Sequence, residues 1–187
     1  EGSSKDVYLE HVFLENTDYT TTQIVIKDGT TVIADNALIG HDSLTEIQLP
    51  QGLRTIGDSA FVYCEGLRSI KIPSSVEYIG PDAFKSCIGL TAIDVDSNNA
   101  YYKSVDGVLF SKDGSQLIWC PKRNTDSYTV PNSVQYIMPN AFSCSNLKKI
   151  AIYNSTTVLE ENAIGLDCDY CWMDVTIECY ENSIEHE

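Results

Sequence analysis

Apolar residues return along this chain with a period of 23 positions. Ile24, Ile47, Ile70 and Ile93 share one phase, and Leu44, Leu67 and Leu90 stand three residues ahead of the last three. Ile33, Ile56 and Ile79 hold a third phase, and Ala37, Ala60 and Ala83 a fourth. A fixed period of this length predicts a solenoid, in which each repeat is one coil that cannot bury its apolar face until a neighbour stacks on it. Architecture follows from this pattern. Function does not, because a solenoid is a surface on which many kinds of partner can be read.

Within the period, Ile47-Gln48-Leu49-Pro50 and Ile70-Lys71-Ile72-Pro73 alternate apolar and polar residues and close on proline. This predicts a short strand whose outer residues face the core and whose central residue faces solvent. The proline ends it, since it cannot donate to a continuing ladder. A second apolar pair follows, Leu53 with Ile56 and Val76 with Ile79, and then Gly57 or Gly80, where a tight bend is expected. An Ala-Phe pair and a cysteine return the chain, with Cys64, Cys87 and Cys144 at nearly one phase. A cysteine that recurs in this way is a small buried hydrophobe. These three are expected to be buried, reduced and inert.

The expected fold is a mainly β, right-handed superhelix of about six coils, with a parallel sheet on one face and Ile47, Ile70, Ile93 and Ile150 stacked as an internal ladder. The solenoid spans 24–174, with coils near 24–46, 47–69, 70–92, 93–127, 128–149 and 150–174. Residues 1–23 and 175–187 match no phase and read as end segments covering the last coils. The first coil carries Leu38 and His41 in place of phenylalanine and cysteine. The fourth is stretched to 35 residues, and its extra length reads as an inserted β-hairpin. Val108-Leu109-Phe110 and Leu117-Ile118-Trp119 flank Asp113-Gly114, and Asp-Gly between apolar runs is a strong hairpin signal.

Charge narrows the partners. The chain holds 27 acidic and 12 basic residues, a net charge of −15, which disfavours nucleic acid and anionic membrane surfaces, both of which are bound through Lys and Arg. No run approaches the roughly 20 apolar residues of a membrane-spanning helix. The chain begins Glu1-Gly2-Ser3-Ser4, without an initiator Met or a signal peptide, and reads as a piece of something longer.

Sharper chemistry finds little support. Asp94-Val95-Asp96-Ser97-Asn98 imitates the start of a calcium loop, but Asn99 and Val105 stand where that loop needs glycine and a bidentate glutamate. Cys168-Asp169-Tyr170-Cys171, with Cys179 and His186, has a spacing open to a zinc site, a local disulfide or free thiols. No metal or cofactor is expected. The three histidines, His11, His41 and His186, form no visible nucleophile-base-orienter set, so no catalytic residue is assigned and an enzyme is not expected.

The run Leu-x-x-Ile-x-Ile-Pro-x-x-Val-x-x-Ile-Gly-x-x-Ala-Phe-x-x-Cys resembles the 23-residue leucine-rich repeat of BspA-type, or Treponema-type, bacterial surface proteins. Leu67, Ile70, Ile72, Pro73, Val76, Ile79, Gly80, Ala83, Phe84 and Cys87 match it throughout. The stretch Val95-Asp96-Ser97-Asn98, followed by residues 104–110 and Pro121, is similar to a segment found between repeats in that family. The likeness runs from about Ile24 to about Ala163, with His41, Met138 where glycine is usual, and the acidic, cysteine-bearing C-terminal stretch as departures. The resemblance implies a secreted or cell-surface, non-enzymatic protein-protein interaction module, with adhesion to host matrix or plasma proteins or to neighbouring cells as its role. A structural spacer carrying another domain and a carbohydrate-binding module are the alternatives.

Two surfaces are candidates for binding. Glu46, Gln48, Ser69, Lys71, Asp94, Thr129 and Lys149 alternate with the buried ladder, so they are expected to project together from the sheet as a broad, shallow protein-binding face. The hairpin flank with Tyr101, Tyr102 and Phe110 is the second, on the ground that exposed aromatics anchor interfaces. Tyr101 and Tyr102 can equally pack beneath the hairpin.

Overall fold

A computed structural model describes residues 6–122, 124–164 and 175–179, and every regular element among them is a strand. The chain opens with an antiparallel hairpin of β1 (Asp6–Leu9) and β2 (Val12–Asn16). Three coils of two strands each follow: β3 (Gln23–Val25) and β4 (Val32–Ile33), β5 (Glu46–Gln48) and β6 (Thr55–Ile56), β7 (Ser69–Ile72) and β8 (Tyr78–Ile79). The fourth coil begins with β9 (Ala92–Val95) and leaves the solenoid as a meander of β10 (Tyr102–Val105), β11 (Val108–Ser111) and β12 (Gln116–Trp119). Regular coils resume with β13 (Ser127–Val130) and β14 (Tyr136–Ile137), then β15 (Lys149–Ile152) and β16 (Val158–Leu159), and β17 (Thr176–Cys179) opens a further turn.

The 23-residue phase is the pairing register. Ile24 pairs Ile47, Ile70 pairs Ile93, and Ile33, Ile56 and Ile79 pair in sequence, all in parallel ladders. One face carries β3-β5, β7-β9 and β13-β15-β17; the other carries β1-β2-β4-β6-β8 and β10-β11-β12-β14-β16. Leu44, Leu67 and Leu90 are fully buried between them, as are Ala60, Phe61, Cys64 and Cys87, while Ala83 and Phe84 are nearly so. The opening hairpin covers the first coil: β2 pairs β4, and Phe13 is fully buried in the same core.

The structure departs from the sequence-based expectation in four respects. Among the described residues seven strands, β3, β5, β7, β9, β13, β15 and β17, occupy the first face, so the turns number about seven instead of six. The extra one is β17, within a segment expected to be an end piece; Ile177 pairs Ile150, which needs a parallel neighbour on that side. The insertion is a three-stranded meander, because Asp106-Gly107, at φ 50° and 79°, makes a second two-residue turn ahead of the expected one.

The ladder is also interrupted. Ile150 pairs Tyr128 and Ile177, and β9 packs against β10 and β11 instead of β13. Two apolar cores result, one from Phe13 to Val95 closed by Leu109, Trp119 and Cys144, the other around Phe110, Val134, Phe142 and Ile150. Finally, Gly57 and Gly80 are not left-handed bends. A Cβ on Gly57 would lie 2.5 Å from the amide nitrogen and Oδ1 of Asp35, and one on Gly80 2.3 Å from Oδ1 of Asp58. These glycines make room for the aspartate of the coil before.

Candidate functional site

The residues expected on the sheet face are solvent-facing, but they lie in two groups. Glu46, Gln48, Ser69, Lys71 and Asp94 are exposed on β5, β7 and β9. Thr129, exposed, and Lys149, half-buried, belong to the separate β13-β15-β17 sheet beyond the meander turn, where the amide of Ile93 donates to the carbonyl of Gly107 at 3.0 Å. Lys149 is engaged there: its Nζ lies 2.9 Å from Oε1 of Glu178, which also accepts the Tyr153 hydroxyl at 3.0 Å. That hydrogen bond and charge raise the Lys149 pKa and lower that of Glu178.

In the first group, β5 and β7 lie side by side without a shared ladder, and a cleft of about 280 Å³ opens between them. Glu46, Gln48, Gln51, Ser69 and Lys71 line it over a base of Ile47 and Leu49. Gln23 Nε2 and Gln48 Nε2 donate to Glu46 at 3.1 and 3.3 Å. The cleft thus presents one carboxylate, two amides, a hydroxyl and an ammonium.

The hairpin flank is rearranged by burial. Phe110 is 2% exposed in the second core, because β11 is the central strand of the meander and its Val108-Leu109-Phe110 run is buried throughout. It is therefore no surface anchor, a correction to the sequence reading. Tyr101 is half exposed. Tyr102, at the start of β10, is half-buried against the first core, its hydroxyl accepting the Ile79 amide at 3.0 Å, and burial raises its pKa. Asn99, fully buried, fixes this loop by donating to the carbonyls of Pro73 and Val76 and accepting from the amides of Tyr101 and Tyr102.

Where β8 loses its coil neighbour, a pocket of about 350 Å³ opens between Tyr78, Phe84 and Tyr102 on one side and Ile118, Trp119 and Met138 on the other. Nothing in the periodicity singles out Tyr78 or Trp119. The readable signal was Met138 at the glycine phase: the position that holds Asp35 and Asp58 in the first two coils is Trp119 in the element before Met138, so no aspartate crowds a larger side chain there.

The remaining motifs hold no site among the described residues. Asp96 Oδ1 accepts the amide of Asn98 in a local turn. No group of three or more potential ligands that could hold a metal occurs. His41 is buried, stacked on Tyr19 at 4.5 Å, and makes no ring hydrogen bond, while His11 Nδ1 lies 2.8 Å from the Gly29 carbonyl oxygen. Cys168, Cys171 and His186 lie outside the described residues, and Cys179 is exposed. Among the described residues, no helix is long and apolar enough to cross a membrane.

A profile of the BspA type leucine rich repeat region matches residues 10–112 and 119–178 in six copies. The chain is similar to the solved structure of a leucine rich cell surface protein of Faecalibacterium prausnitzii, with 30% identity and a TM-score of 0.64 over 73% of this chain and 37% of that one. It is also similar to the pneumococcal vaccine antigen PcpA, at 26% identity and a TM-score of 0.53 over 70% and 45%. A leucine-rich repeat protein of Eubacterium ventriosum shares the fold at 19% identity, with a TM-score of 0.54 over 90% and 61%. The chain thus spans less than half the length of the first two. No curated protein matches it significantly. Periodicity, register and profile agree that the chain belongs to the BspA-type leucine-rich repeat family.

Proposed function

We propose that this chain is a non-enzymatic protein-protein interaction module of a secreted or cell-surface bacterial protein, which binds a macromolecule of a host or neighbouring cell. The cell-surface description of its Faecalibacterium relative supports the location. The binding face is the exposed row Glu46, Gln48, Ser69, Lys71 and Asp94, and the observation that carries it is the polar cleft between β5 and β7. A broad, shallow face rich in hydrogen-bonding groups suits a protein partner better than a small molecule, which needs enclosure.

The reading is tested by screening the protein against immobilised matrix and plasma proteins, with Gln48→Glu and Lys71→Glu variants in parallel. Loss of binding in both variants supports the face. Binding that survives both moves the site elsewhere, and no binding to any partner favours a spacer.

A further inference from the structure

We infer that the pocket at the break in the solenoid binds one bulky apolar side chain, aromatic by preference, presented by a basic segment of a protein partner. This rests on the reading of the chain as a protein-interaction module but uses a different surface. The pocket's origin is structural. In the second and third coils the glycines at this phase, Gly57 and Gly80, lie against an aspartate of the coil before, Asp35 and Asp58. At the break the preceding element is β12, whose Leu117 carbonyl accepts the Met138 amide at 3.0 Å, and the Ala141 carbonyl accepts from Cys120. Met138 can then stand at the glycine phase, and its side chain forms a wall of the pocket. Methionine is a wall that adapts to an inserted group.

Volume and lining select the occupant. About 350 Å³ is at the small end of the roughly 300–1,000 Å³ of ligand pockets, enough for one side chain and too little for an extended segment. A sugar is disfavoured because most of the lining's polar groups are already used, the indole N–H of Trp119, buried without a partner, and the side chain of Gln116 being the exceptions. The Tyr102 hydroxyl accepts from Ile79, the Tyr78 hydroxyl donates to Asp58 at 3.2 Å, and Asp82 Oδ1 accepts from Asn140 Nδ2 at 2.7 Å. Most of the hydroxyls of a sugar brought into such a site would be left unpaired. What remains is aromatic and aliphatic surface from Phe84, Tyr78, Trp119, Ile118 and Met138, the setting in which interface anchors bury.

The charge at the mouth points to a basic flank on the partner. Asp82 stands at one lip, Asp58 is tied to Tyr78, and Glu160 lies one coil on from Met138, its amide bonded to the Ile137 carbonyl. The chain as a whole carries a net charge of −15. Basic residues beside the anchor would thus be drawn to the mouth and oriented there.

The test is an NMR titration of the protein, labelled at methionine methyls and indole nitrogens, with capped pentapeptides of sequence Arg-Gly-X-Gly-Arg, where X is Phe, Trp, Leu or Ala. The expected result is a saturable shift of the Met138 methyl with X = Phe or Trp. Affinity should fall at least tenfold for X = Ala and fall again when both flanking arginines are replaced by Glu. Met138→Trp fills the pocket and should abolish the shift, and if that variant does not fold, the peptide series on the unaltered protein still decides. Equal shifts for Phe and Ala peptides, no shift from any peptide, or a shift given by N-acetylglucosamine and not by the Phe peptide would each overturn the assignment. Lys71→Glu leaves this titration unchanged if the pocket is independent of the β5–β7 cleft. A Phe-dependent shift that disappears in Lys71→Glu would overturn that independence, and with it the pocket.

Discussion

The hydroxyl of Tyr102 accepts the backbone amide of Ile79 at 3.0 Å, and in doing so takes the place of a strand. Ile79 belongs to β8, the last strand of the first five-stranded sheet, which the meander leaves without its next parallel neighbour. A buried amide without a partner costs as much as a lost hydrogen bond, so an acceptor must come from elsewhere. The opening hairpin does the same for the first coil, where the Tyr8 hydroxyl accepts the Lys27 amide at 3.0 Å.

Removing that acceptor while keeping the ring isolates its contribution. Tyr102→Phe is expected to destabilise the fold by about 1–3 kcal/mol, the cost of an unsatisfied buried donor. Tyr101→Phe, at a half-exposed ring, is expected to change stability by less than about 0.5 kcal/mol. Urea denaturation of the pair checks this, and similar losses in both would mean that the hydroxyl is not capping the strand.

A second prediction concerns the glycines of the coil corners. An added methyl at Gly80 would sit 2.3 Å from Asp58 Oδ1 and 2.5 Å from its amide nitrogen, so Gly80→Ala must shift backbone and should cost about 1–3 kcal/mol. Gly52, with nothing within 4 Å of the same methyl, should accept alanine at almost no cost. Because the clash is with the coil before, Asp58→Gly combined with Gly80→Ala should recover part of the loss. Thermal melts of the three variants decide, and an uncoupled sum would refute the crowding.

What was legible in the sequence was whatever repeats. Ile47, Leu67, Ile70 and Phe84 could be placed inward because a solenoid turns one phase into one direction, and the register pairs Ile70 with Ile93 as the period requires. What was not legible is what happens once. β10 went unseen although Asp106-Gly107 carries the same turn signal as Asp113-Gly114, because the segment between Tyr102 and Val105 has only one apolar residue at each end. The split of the candidate face, with Thr129 and Lys149 cut off from Lys71, follows from where the meander turn lands, a tertiary fact with no period. Phe110 was misassigned because flank and centre of an insertion look alike until its strand order is known.

The stacked rings give the third prediction. Phe84 is nearly fully buried, stacked on Phe61 with centroids 5.7 Å apart and planes at 4°, and tilted against Trp119 at 6.3 Å. Phe84→Ala should cost about 3–5 kcal/mol, since it opens a cavity between two stacked coils. Lys71→Ala, at an exposed position, should stay within about 0.5 kcal/mol. Chemical denaturation distinguishes the two, and comparable losses would reverse the inward and outward assignments.

The last prediction concerns the cysteine ladder and pH. Cys64 donates from Sγ to the Leu38 carbonyl at 3.1 Å and Cys87 to that of Phe61 at 3.0 Å, each reaching back to the preceding coil. Burial raises the Cys64 thiol from 9.0 to about 12, and burial, with the neighbouring Cys64 and Cys144, likewise pushes Cys87 well above its ordinary value. Above about pH 9 the unfolded chain releases these protons while the folded chain keeps them, so the native state binds more protons and stability falls as pH rises. Each thiol contributes a slope of up to about 1.4 kcal/mol per pH unit, and the stabilisation is fully present below that window. Under reducing conditions, stability measured from about pH 8 to about pH 10 should decline less steeply in Cys64→Ala and Cys87→Ala than in the parent, whatever the absolute loss from each substitution. A disulfide reagent at neutral pH should label Cys179, which is exposed, and leave Cys64, Cys87 and Cys144 unmodified until denaturant is added. Fast labelling of these three in the native protein, or identical pH slopes with and without the thiols, would show that they are not the inert, coil-locking ladder described.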